Sequence, residues 1–476
     1  MLIDLYHALP QWARVLAASA YGYHLYSWRY GRDTEDLVCE ALAREYWTAE
    51  HMHAEQSAQL SALLVHSAKN VPYYRGIWEQ RRRDGDTSPV DVLANWPVLE
   101  KDPVRESPES FLVEGSNPKK LFRTATSGTT GKPLQLWQSR KTLHEWYALT
   151  EARWRRWYGV TKDDRWAILG GQLIVPVSQT EPPFWIWNRA FRQLYMSSYH
   201  LSPDLIRHYF TALKKYRIKY VYGYSSALYA LASQALADGR DDLVFAVAIT
   251  NAEPLSARQR QTISQAFHCP VRETYGMSEM VAAASECEYG RLHLWPRVGV
   301  VEVLTDGKPA APETTGDLVC TGLLNTDMPL IRYRVGDRAA LGDRANVCEC
   351  GRTLPWLKSV EGRLDDVLYT ASGRRVGRLD PVLKSDLAVQ EVQIVQKSLT
   401  ELHVNVVPAK SFNGSTEAAI ARQLRNRMGE VDVVIKQMSF IPRGANGKFR
   451  AVICELDQDE IRRSTGTSEA ELGAAR

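Results

Sequence analysis

The sequence has no uninterrupted apolar run of the ~20 residues that a membrane-spanning helix needs. Residues 8–30 are rich in Leu, Ala, Trp and Tyr, but Gln11, Arg14, His24 and Arg29 interrupt them. A basic start, an apolar centre and a small-residue cleavage site in that order are also missing. We therefore expect no transmembrane segment. The aromatic residues predict a helical arm packed on the main body, with a place at a membrane interface as the alternative.

Cysteine is scarce, with seven in 476 residues, which is too few for a disulfide scaffold. An odd count without a signal peptide fits a reducing compartment, so a cytoplasmic protein is expected. The formal net charge of +4 comes from basic residues spread along the chain, which argues against a nucleic-acid partner. The length predicts two or three domains, and a composition of 45% hydrophobic and 24% charged residues is ordinary for a soluble globular protein. Whether the protein is a monomer or a dimer is left open.

Short apolar strand candidates alternate with helical segments between residues 100 and 350. Strands are predicted at 166–169, 220–222, 244–249, 300–304 and 318–320, and helices at 203–216 and 225–237. This alternation indicates an α/β fold with sheets covered by helices. Residues 34–68 contain no Pro or Gly and predict further helices. The pattern changes after about residue 362, where the clearest strands are at 392–396 and 403–407.

Residues 124–133 read Thr-Ala-Thr-Ser-Gly-Thr-Thr-Gly-Lys-Pro, a loop rich in hydroxyl groups and glycine. Backbone amides and hydroxyls suit the anionic oxygens of a nucleotide polyphosphate. A Walker A loop is excluded because Gly128 and Gly131 are too close and Pro133 follows Lys132. Composition alone leaves a flexible surface loop open. The order of residues resembles the phosphate loop of the acyl-adenylate-forming superfamily, which includes acyl-CoA synthetases, luciferases and peptide-synthetase adenylation domains.

Five further segments resemble motifs of this superfamily, in family order. They are Asn251-Ala-Glu-Pro254 (the adenine-side loop), Glu273-Thr-Tyr-Gly-Met-Ser-Glu279 (Tyr-Gly-x-[ST]-Glu), Arg332-Tyr-Arg-Val-Gly-Asp337 (Tyr-Arg-Thr-Gly-Asp), Gly362-Arg-Leu-Asp-Asp366 (the hinge) and Pro442-Arg-Gly-Ala-Asn-Gly-Lys448 (Pro-Arg-x-x-x-Gly-Lys). Val335 stands in the usual Thr place. Taken singly, these segments also fit ordinary strand-end turns, a solvated hairpin at 332–337 or an exposed loop.

The resemblance implies a site for ATP and AMP formed by Thr126, Ser127, Gly128, Thr129, Thr130, Gly131, Lys132, Ala252, Glu253, Pro254, Tyr275, Gly276, Asp337 and Arg363. Tyr275 would stack on adenine, and Asp337 would accept hydrogen bonds from the ribose hydroxyls.

Three catalytic residues are implied in the same way. Ser278 would bond a phosphate oxygen, Glu279 would hold Mg²⁺, and Lys448 would reach the carboxylate and the α-phosphate. Asp365 would be the hinge, and the segment Ser372-Gly-Arg-Arg375 would place Gly373 and Arg375 beside a thiol tunnel.

A finer resemblance is to the phenylacetate–CoA ligase branch and its capsular polysaccharide biosynthesis (CapK-type) members. The segments that carry it are Asn70-Val-Pro-Tyr-Tyr-Arg75, Asp327-Met-Pro-Leu-Ile-Arg-Tyr333, Cys348-Glu-Cys-Gly-Arg352 and Gln390-Glu-Val-Gln-Ile-Val-Gln396. The long N-terminal arm fits the CapK-type members best. The resemblance implies a helical arm at 1–70, an adenylate-forming domain at 71–361, a small mobile α+β domain that binds AMP at 362–458, and a tail at 459–476.

The implied reaction joins a carboxylic acid to ATP as an acyl-adenylate and then to a thiol, with CoA as the expected acceptor. A carrier protein, an amine or a glycan is the alternative acceptor. A catalytically silent nucleotide-binding protein is a third hypothesis, against which the presence of both Glu279 and Lys448 argues. The acid pocket is expected within 166–199 and 222–226, where Trp166, Trp185 and Trp187 favour an apolar or aromatic acid, or are plain core.

Cys287, His293, Cys348 and Cys350 form a C-x5-H pair and a C-x-C pair on either side of the segment 332–337. Thiolates and imidazole in fours suit tetrahedral structural zinc, and some relatives in this branch carry such a site. Ordinary buried cysteines are the alternative.

Overall fold

The fold is known from a computed structural model that describes residues 2–125, 134–176, 178–201, 203–253, 255, 257–361, 368–376, 379, 387–409, 411–438, 441, 452–457 and 460. The helices among these residues are α1 (Leu2–Ala8), α2 (Gln11–Arg29), α3 (Thr34–Ala43), α4 (Ala49–Asn70), α5 (Pro72–Arg83), α6 (Lys101–Glu106), α7 (Arg140–Trp154), α8 (Pro203–Lys215), α9 (Ser225–Ala237), α10 (Ala257–Phe267) and α11 (Gly414–Met428).

The strands divide into those before and those after residue 360. The first group is β1 (Phe122–Ala125), β2 (Gln135–Gln138), β3 (Trp166–Gly170), β4 (Trp185–Asn188), β5 (Gln193–Ser197), β6 (Tyr220–Tyr224), β7 (Ala248–Asn251), β8 (Val271–Gly276), β9 (Ala283–Glu286), β10 (Leu292–Leu294), β11 (Gly299–Thr305), β12 (Lys308–Pro309), β13 (Gly316–Gly322), β14 (Tyr333–Leu341) and β15 (Trp356–Glu361). The second is β16 (Leu368–Tyr369), β17 (Arg375–Val376), β18 (Val389–Ser398), β19 (Glu401–Pro408), β20 (Asp432–Gln437) and β21 (Val452–Cys454).

The largest sheet in the described part of the chain has 13 strands in the order β12-β11-β13-β14-β15-β10-β9-β8-β7-β6-β3-β5-β4. Strands β8, β7, β6, β3 and β5 run parallel, and β4 closes that edge antiparallel. Parallel neighbours need crossover connections, and α8, α9 and α10 supply them. The strands beyond β8 pair antiparallel. A mixed α/β fold with helix-covered sheets is thereby confirmed.

The two faces of the parallel strands have different surroundings. Alternate residues such as Ala167 and Leu169 pack with α8, α9 and α10 in one apolar core. Trp166, Tyr220 and Ile249 point to the opposite face, where they form a small separate cluster. That second face is left partly open, and it is where the candidate site lies.

Helices α1 to α4 run along the outside of this body. A Cβ atom on Gly22 would lie 2.3 Å from the side-chain oxygen of Asn188, so glycine lets α2 approach β4 closely. His7 bonds the carbonyl oxygen of Leu173 at 2.9 Å. The outer side of α2 leaves Trp12 and Tyr23 exposed. No helix among the described residues is both long and apolar enough to cross a bilayer.

The chain from Leu368 onward builds its own apolar core, in which α11 packs on a sheet of order β20-β19-β18-β21. This smaller α+β unit contains the strands predicted at 392–396 and 403–407, which are confirmed as β18 and β19. Residues 362–367, with the expected boundary and hinge, lie outside the described residues, so the division into domains and the mobility of the second unit stay predictions.

The other predicted elements are mostly confirmed, as β3, β6, β11, β13, α3, α4, α8 and α9. The strand predicted at 244–249 is wrong in its first half, because the strand is Ala248–Asn251. The N–H of Phe245 donates to the carbonyl of Phe267, at the end of α10, and the N–H of Ala246 donates to the carbonyl of Lys219, just before β6. These residues therefore bond to the ends of two different elements and do not form a ladder with one neighbouring strand.

Candidate active site and cysteine cluster

A cavity of about 1500 Å³ follows the open face of the parallel strands. Near the carboxyl ends of β7 and β8 it is lined by described members of the predicted nucleotide site and by two of the predicted catalytic residues. The former are Ala252, Glu253, Tyr275, Gly276 and Asp337, and the latter are Ser278 and Glu279. Ligands of open α/β sheets bind at this edge because the loops that follow parallel strands meet there. The structure therefore brings together motif residues that lie up to 85 positions apart, from Ala252 to Asp337.

Two tyrosines tie the acidic residues of this site to strands. Tyr275, near the end of β8, donates its hydroxyl proton to Asp337 Oδ2 at 2.9 Å. Tyr333, which is fully buried, donates to Glu279 Oε1 at 3.1 Å. The alternative of a solvated hairpin turn at 332–337 is wrong, because residues 333–337 are the first part of the paired strand β14. Both carboxylates are thus held by fixed donors.

The loops that follow β7 and β8 have tight local constraints. Ala252 adopts a φ of +66°, a left-handed conformation that is uncommon for a residue with a side chain. Glu253 accepts a hydrogen bond from Ser225 Oγ, at the start of α9, at 3.3 Å. A Cβ atom on Gly276 would lie 3.3 Å from the Trp154 ring. Ala252, Glu253 and Gly276 themselves line the cavity, so these constraints fix the shape of its wall.

Three buried side-chain oxygens of the cavity wall have no hydrogen-bond partner among the described residues: Thr124 Oγ1, Gln138 Oε1 and Asn251 Oδ1. Thr124 and Gln138 lie on β1 and β2, on either side of the phosphate-loop candidate. A buried polar group without a partner costs free energy, so these atoms fit a site that receives a polar ligand. Gln138 was not predicted as a site residue. The one signal for it would have been its position at the end of the strand that follows the phosphate-loop candidate.

Several predicted site residues fall outside the residues that the structure describes. They are Thr126, Ser127, Gly128, Thr129, Thr130, Gly131, Lys132, Pro254, Arg363, Asp365 and Lys448.

The expected thiol-tunnel residues lie in the smaller unit. Gly373 adopts a φ of +75° in the turn between β16 and β17, and Arg375 begins β17. Gly373 is not one of the described residues that line the cavity. The smaller unit lines the cavity through helix α11, with Arg422, Gln423, Asn426 and Arg427.

Aromatic side chains line the rest of the cavity. Trp166 and Tyr222, which belong to the expected acid pocket, project into it from β3 and β6, as does Tyr220, which was not expected there. Trp185 and Trp187 do not line it. Trp185 meets Tyr209 edge to face and Trp187 stacks against Tyr216, with ring centroids 6.0 and 4.9 Å apart. Alternation along β4 turns both tryptophans to the helix-covered face. For these two tryptophans the plain-core alternative holds.

One carboxyl group of the wall has an altered acidity. Glu273 lies in the middle of β8, and its pKa is raised to about 7. Burial is the main cause of this rise, the neighbouring Glu286 carboxylate adds to it, and Arg260 opposes it. Arg260 bonds Glu286 at 2.9 Å but stands 4.0 Å from Glu273, so the cation serves mainly the other carboxylate. A cavity-facing acid that titrates near neutral pH was not predicted.

The four predicted zinc ligands converge beside β10. Their ligand atoms all lie within 4.8 Å of one another, with Cys287 Sγ 3.7 Å from Cys348 Sγ and Cys350 Sγ 3.4 Å from His293 Nε2. A tetrahedral zinc ion with Zn–S bonds of ~2.3 Å would hold two sulfurs ~3.8 Å apart.

The surroundings of the cluster also fit a zinc ion. His293 Nδ1 lies 3.1 Å from the carbonyl oxygen of Leu354, which leaves Nε2 to face the sulfurs. Burial lowers the pKa of His293 to about 4, so the imidazole is neutral, as a ligand must be.

Known proteins resemble the chain over most of its length. The profile of the AMP-binding enzyme family matches residues 43–325, and that of the CapK C-terminal domain matches residues 368–455. Protein CapK of Staphylococcus aureus is 28% identical over 304 residues, 63% of this chain and 66% of that protein. Phenylacetate-coenzyme A ligases of Thermus thermophilus and Escherichia coli are each 23% identical, over 85% and 83% of this chain and 96% and 93% of those enzymes.

Solved structures share the fold. 2-Hydroxyisobutyryl-CoA ligase with 2-HIB-AMP and CoA, in its thioesterification state, has a TM-score of 0.55 at 19% identity over 89% of this chain and 93% of that chain. The same enzyme with R3-HIB-AMP, in its postadenylation state, has a TM-score of 0.51 at 20% identity over 88% and 92%. Since the family profile covers more than half of the sequence, this protein belongs to the AMP-binding enzymes of the acyl-adenylate-forming superfamily, with features of both CapK and the phenylacetate–CoA ligases.

Proposed function

We propose that this protein activates a carboxylic acid with ATP as an acyl-adenylate and then transfers the acyl group to the thiol of CoA. The main support is one continuous cavity in which Tyr275, Glu279 and Asp337 share walls with an aromatic chamber. Nucleotide and acid would meet where the polar end of the cavity joins the aromatic end. The names of the phenylacetate-coenzyme A ligase relatives favour CoA as the acceptor.

In the first step a carboxylate oxygen attacks the α-phosphate of ATP, the bond to the β-phosphate breaks, and pyrophosphate leaves. Asp337 would hold the ribose hydroxyls and Tyr275 would cover the adenine. Glu279 is the residue placed to hold Mg²⁺, which when bound would offset charge on the phosphate oxygens. Lys448 would add a second positive charge to the same oxygens.

In the second step the thiol attacks the acyl carbonyl, AMP leaves, and the thiol proton is released. We expect the unit after residue 367 to rotate about Asp365 between the two steps. The reason is that one cleft must receive ATP in the first step and the thiol of CoA in the second. Gly373 and Arg375 would then border the thiol path.

A second acceptor class is supported by a separate observation. The CapK C-terminal profile covers residues 368–455, which is nearly all of the smaller unit. In a two-step mechanism of this kind the acceptor arrives past that unit, so a carrier protein, an amine or a glycan in polysaccharide biosynthesis is the alternative to CoA.

Pyrophosphate release with a broad panel of acids, with and without CoA, tests the proposal. ATP-dependent release with at least one acid, and a thioester only when CoA is added, is the expected result. Release without thioester would favour the alternative acceptors. Protein that binds ATP yet releases no pyrophosphate with any acid would favour the silent nucleotide-binding hypothesis.

We also infer that Cys287, His293, Cys348 and Cys350 hold a structural zinc ion. The cluster lies beside β10 and in the loop before β15, apart from the residues that line the cavity. All four ligands come from the protein, which is typical of a structural rather than a catalytic site.

A further inference from the structure

We propose that the end of the cavity remote from the nucleotide is an anion subsite built around Arg29, which selects an elongated carboxylic acid with a second anionic group. This inference rests on the proposed function and names the class of its acid. The subsite was not expected from the sequence, where Arg29 only counted as an interruption of an apolar stretch.

The position of Arg29 follows from the course of the cavity along the sheet. The first and middle residues of β3 and β6 line it, and it continues to the residues that follow β7 and β8. A strand of five residues spans about 13 Å. The predicted nucleotide residues lie at the carboxyl ends. Phe191, which precedes β5, lies at the amino end, and the guanidinium carbon of Arg29 is 5.0 Å from the centre of its ring.

Arg29 is held in place without a counter-ion. Its guanidinium also lies 4.5 Å from the ring centre of Tyr147, so two aromatic side chains flank the cation. Among the described residues, no side chain or carbonyl group accepts a hydrogen bond from this guanidinium or forms an ion pair with it. Arg29 is half-buried and lines the cavity. Such a cation gains from an anionic ligand, since water is partly excluded.

The carboxylates of the cavity wall lie together at one end of it, where the cation Lys101 also lies, 5.9 Å from the ring centre of Tyr333. The described acidic residues that line it, Glu253, Glu273, Glu279 and Asp337, come from β8, β14 and the loops after β7 and β8. Near Arg29, by contrast, stands a second cation, Arg155, which donates to the hydroxyl of Tyr220 at 2.8 Å. Its carboxylate neighbour Glu151 lies 3.5 Å away and is shared with Arg156 at 3.4 Å. The far end therefore carries an excess of positive charge.

An acid that fits this arrangement places its reacting carboxylate at the carboxyl ends of the strands. Its body lies along Trp166, Tyr220 and Tyr222, and a second carboxylate or similar anionic group lies at Arg29. Helix α2 thus takes part in substrate selection as well as covering the body. A hydrogen bond between two charged groups is enough for a preference of about 10- to 100-fold over an acid that lacks the second group.

The test compares straight-chain monoacids with α,ω-diacids of equal length, from four to ten carbons, by pyrophosphate release. A second pair is 4-phenylbutanoate and 4-(4-carboxyphenyl)butanoate. For the best-fitting length, wild-type protein should have a kcat/KM for the diacid at least about 10-fold above that for the monoacid. Arg29→Gln should lower this ratio about 10-fold, mainly through KM, and Arg29→Lys should restore part of it.

The matched control is Arg140→Gln. Arg140 also contacts α2, stacking 4.9 Å from the Trp28 ring centre and donating to the carbonyl oxygen of Ser27 at 2.7 Å, but it does not line the cavity. It should keep the wild-type ratio. If Arg29→Gln lowers Tm but leaves the ratio unchanged, or if wild type treats monoacids and diacids alike, the subsite is wrong while the proposed function stands. No pyrophosphate with any acid would contradict both.

Discussion

Arg352 and Glu45 form a buried ion pair across 307 positions of the chain, with Arg352 Nε donating to Glu45 Oε2 at 3.0 Å. The same carboxylate accepts from Arg153 Nε at 3.0 Å and from Trp157 Nε1 at 2.8 Å. Arg352 directly follows the cysteine loop, so this carboxylate joins the N-terminal helices to the metal-site candidate and to α7.

Replacing Glu45 by Gln should destabilise the protein strongly. The guanidinium groups of Arg153 and Arg352 would lose the carboxylate that they share, although Arg352 would keep its ion pair with Glu288. Breaking a buried pair in this way costs about 3–5 kcal/mol. Urea unfolding should show this loss, while Glu50→Gln, at an exposed position on α4, should stay within about 0.5 kcal/mol of wild type. Equal stability of the two variants would mean that the ion pair contributes little.

Asp337→Ala should weaken ATP binding by about 1–3 kcal/mol, since it removes the proposed acceptor for the ribose hydroxyls and leaves the Tyr275 hydroxyl without the carboxylate that it bonds. Isothermal titration calorimetry with ATP and Mg²⁺ measures the change. Asp317→Ala is the control, because Asp317 lies on the adjacent strand β13 and does not line the cavity. Its carboxylate pairs with Arg334 at a distance of 2.8 Å. An unchanged Kd in Asp337→Ala would remove this carboxylate from the nucleotide site.

Cys348→Ser should lower both the zinc content and the Tm of the protein. We expect about one zinc ion per chain in protein prepared without chelators, and a clear loss in the variant. Adenylation should survive in the folded fraction, because the metal would support structure rather than chemistry. Cys39→Ser, an exposed cysteine outside the cluster, should change neither quantity. If protein expressed in medium that contains zinc binds no zinc, these residues are ordinary cysteines.

Glu273 should make stability fall as pH rises from about 4.5 to 7. Its pKa is about 7 in the folded protein, against a reference value of 4.5, so the unfolded chain loses this proton first. Between these values the folded state binds more protons, and stability decreases with pH until the full cost is present above pH 7.

Glu273→Gln removes this titration, so its gain in unfolding free energy over wild type should grow between pH 5 and pH 8. The gain should be of the order of 1 kcal/mol, since the side chain keeps some exposure to solvent. Urea unfolding at several pH values measures it, with Glu109→Gln as an exposed control. A gain that is constant with pH would mean that the carboxyl group has an ordinary pKa.

The two half-reactions should respond differently to two variants in the C-terminal part. Lys448→Ala should slow adenylate formation by ~10²–10³, as expected for the loss of one positioned charge, and spare thioester formation from supplied acyl-adenylate. Asp365→Pro, which stiffens the expected hinge, should do the reverse. Pyrophosphate exchange and thioester formation are measured separately, with Lys436→Ala on β20 as control. Loss of both half-reactions in both variants would contradict the rotation.

Local sequence order was a good guide to elements and to chemistry. The strands at 166–169 and 220–222 and the helix at 225–237 could be read from apolar patterns, because such segments keep one structure in many contexts. The family motifs indicated the nucleotide site, and the order of Cys and His residues indicated the metal-site candidate. The error at 244–249 arose because backbone bonds to distant segments decided where β7 begins.

Residue order along the chain was therefore sufficient for the family, the α/β class and the residue types at the polar end of the cavity. Tertiary structure alone decided which face each side chain meets. Alternation along β4 turned Trp185 and Trp187 into the core, and the packing of α2 brought Arg29 between Tyr147 and Phe191. The contacts of Arg29 join residues more than a hundred positions apart, and those of Trp185 and Trp187 join a strand to a helix that comes later in the chain. Side-chain direction there depends on register and helix docking, which no local pattern contains.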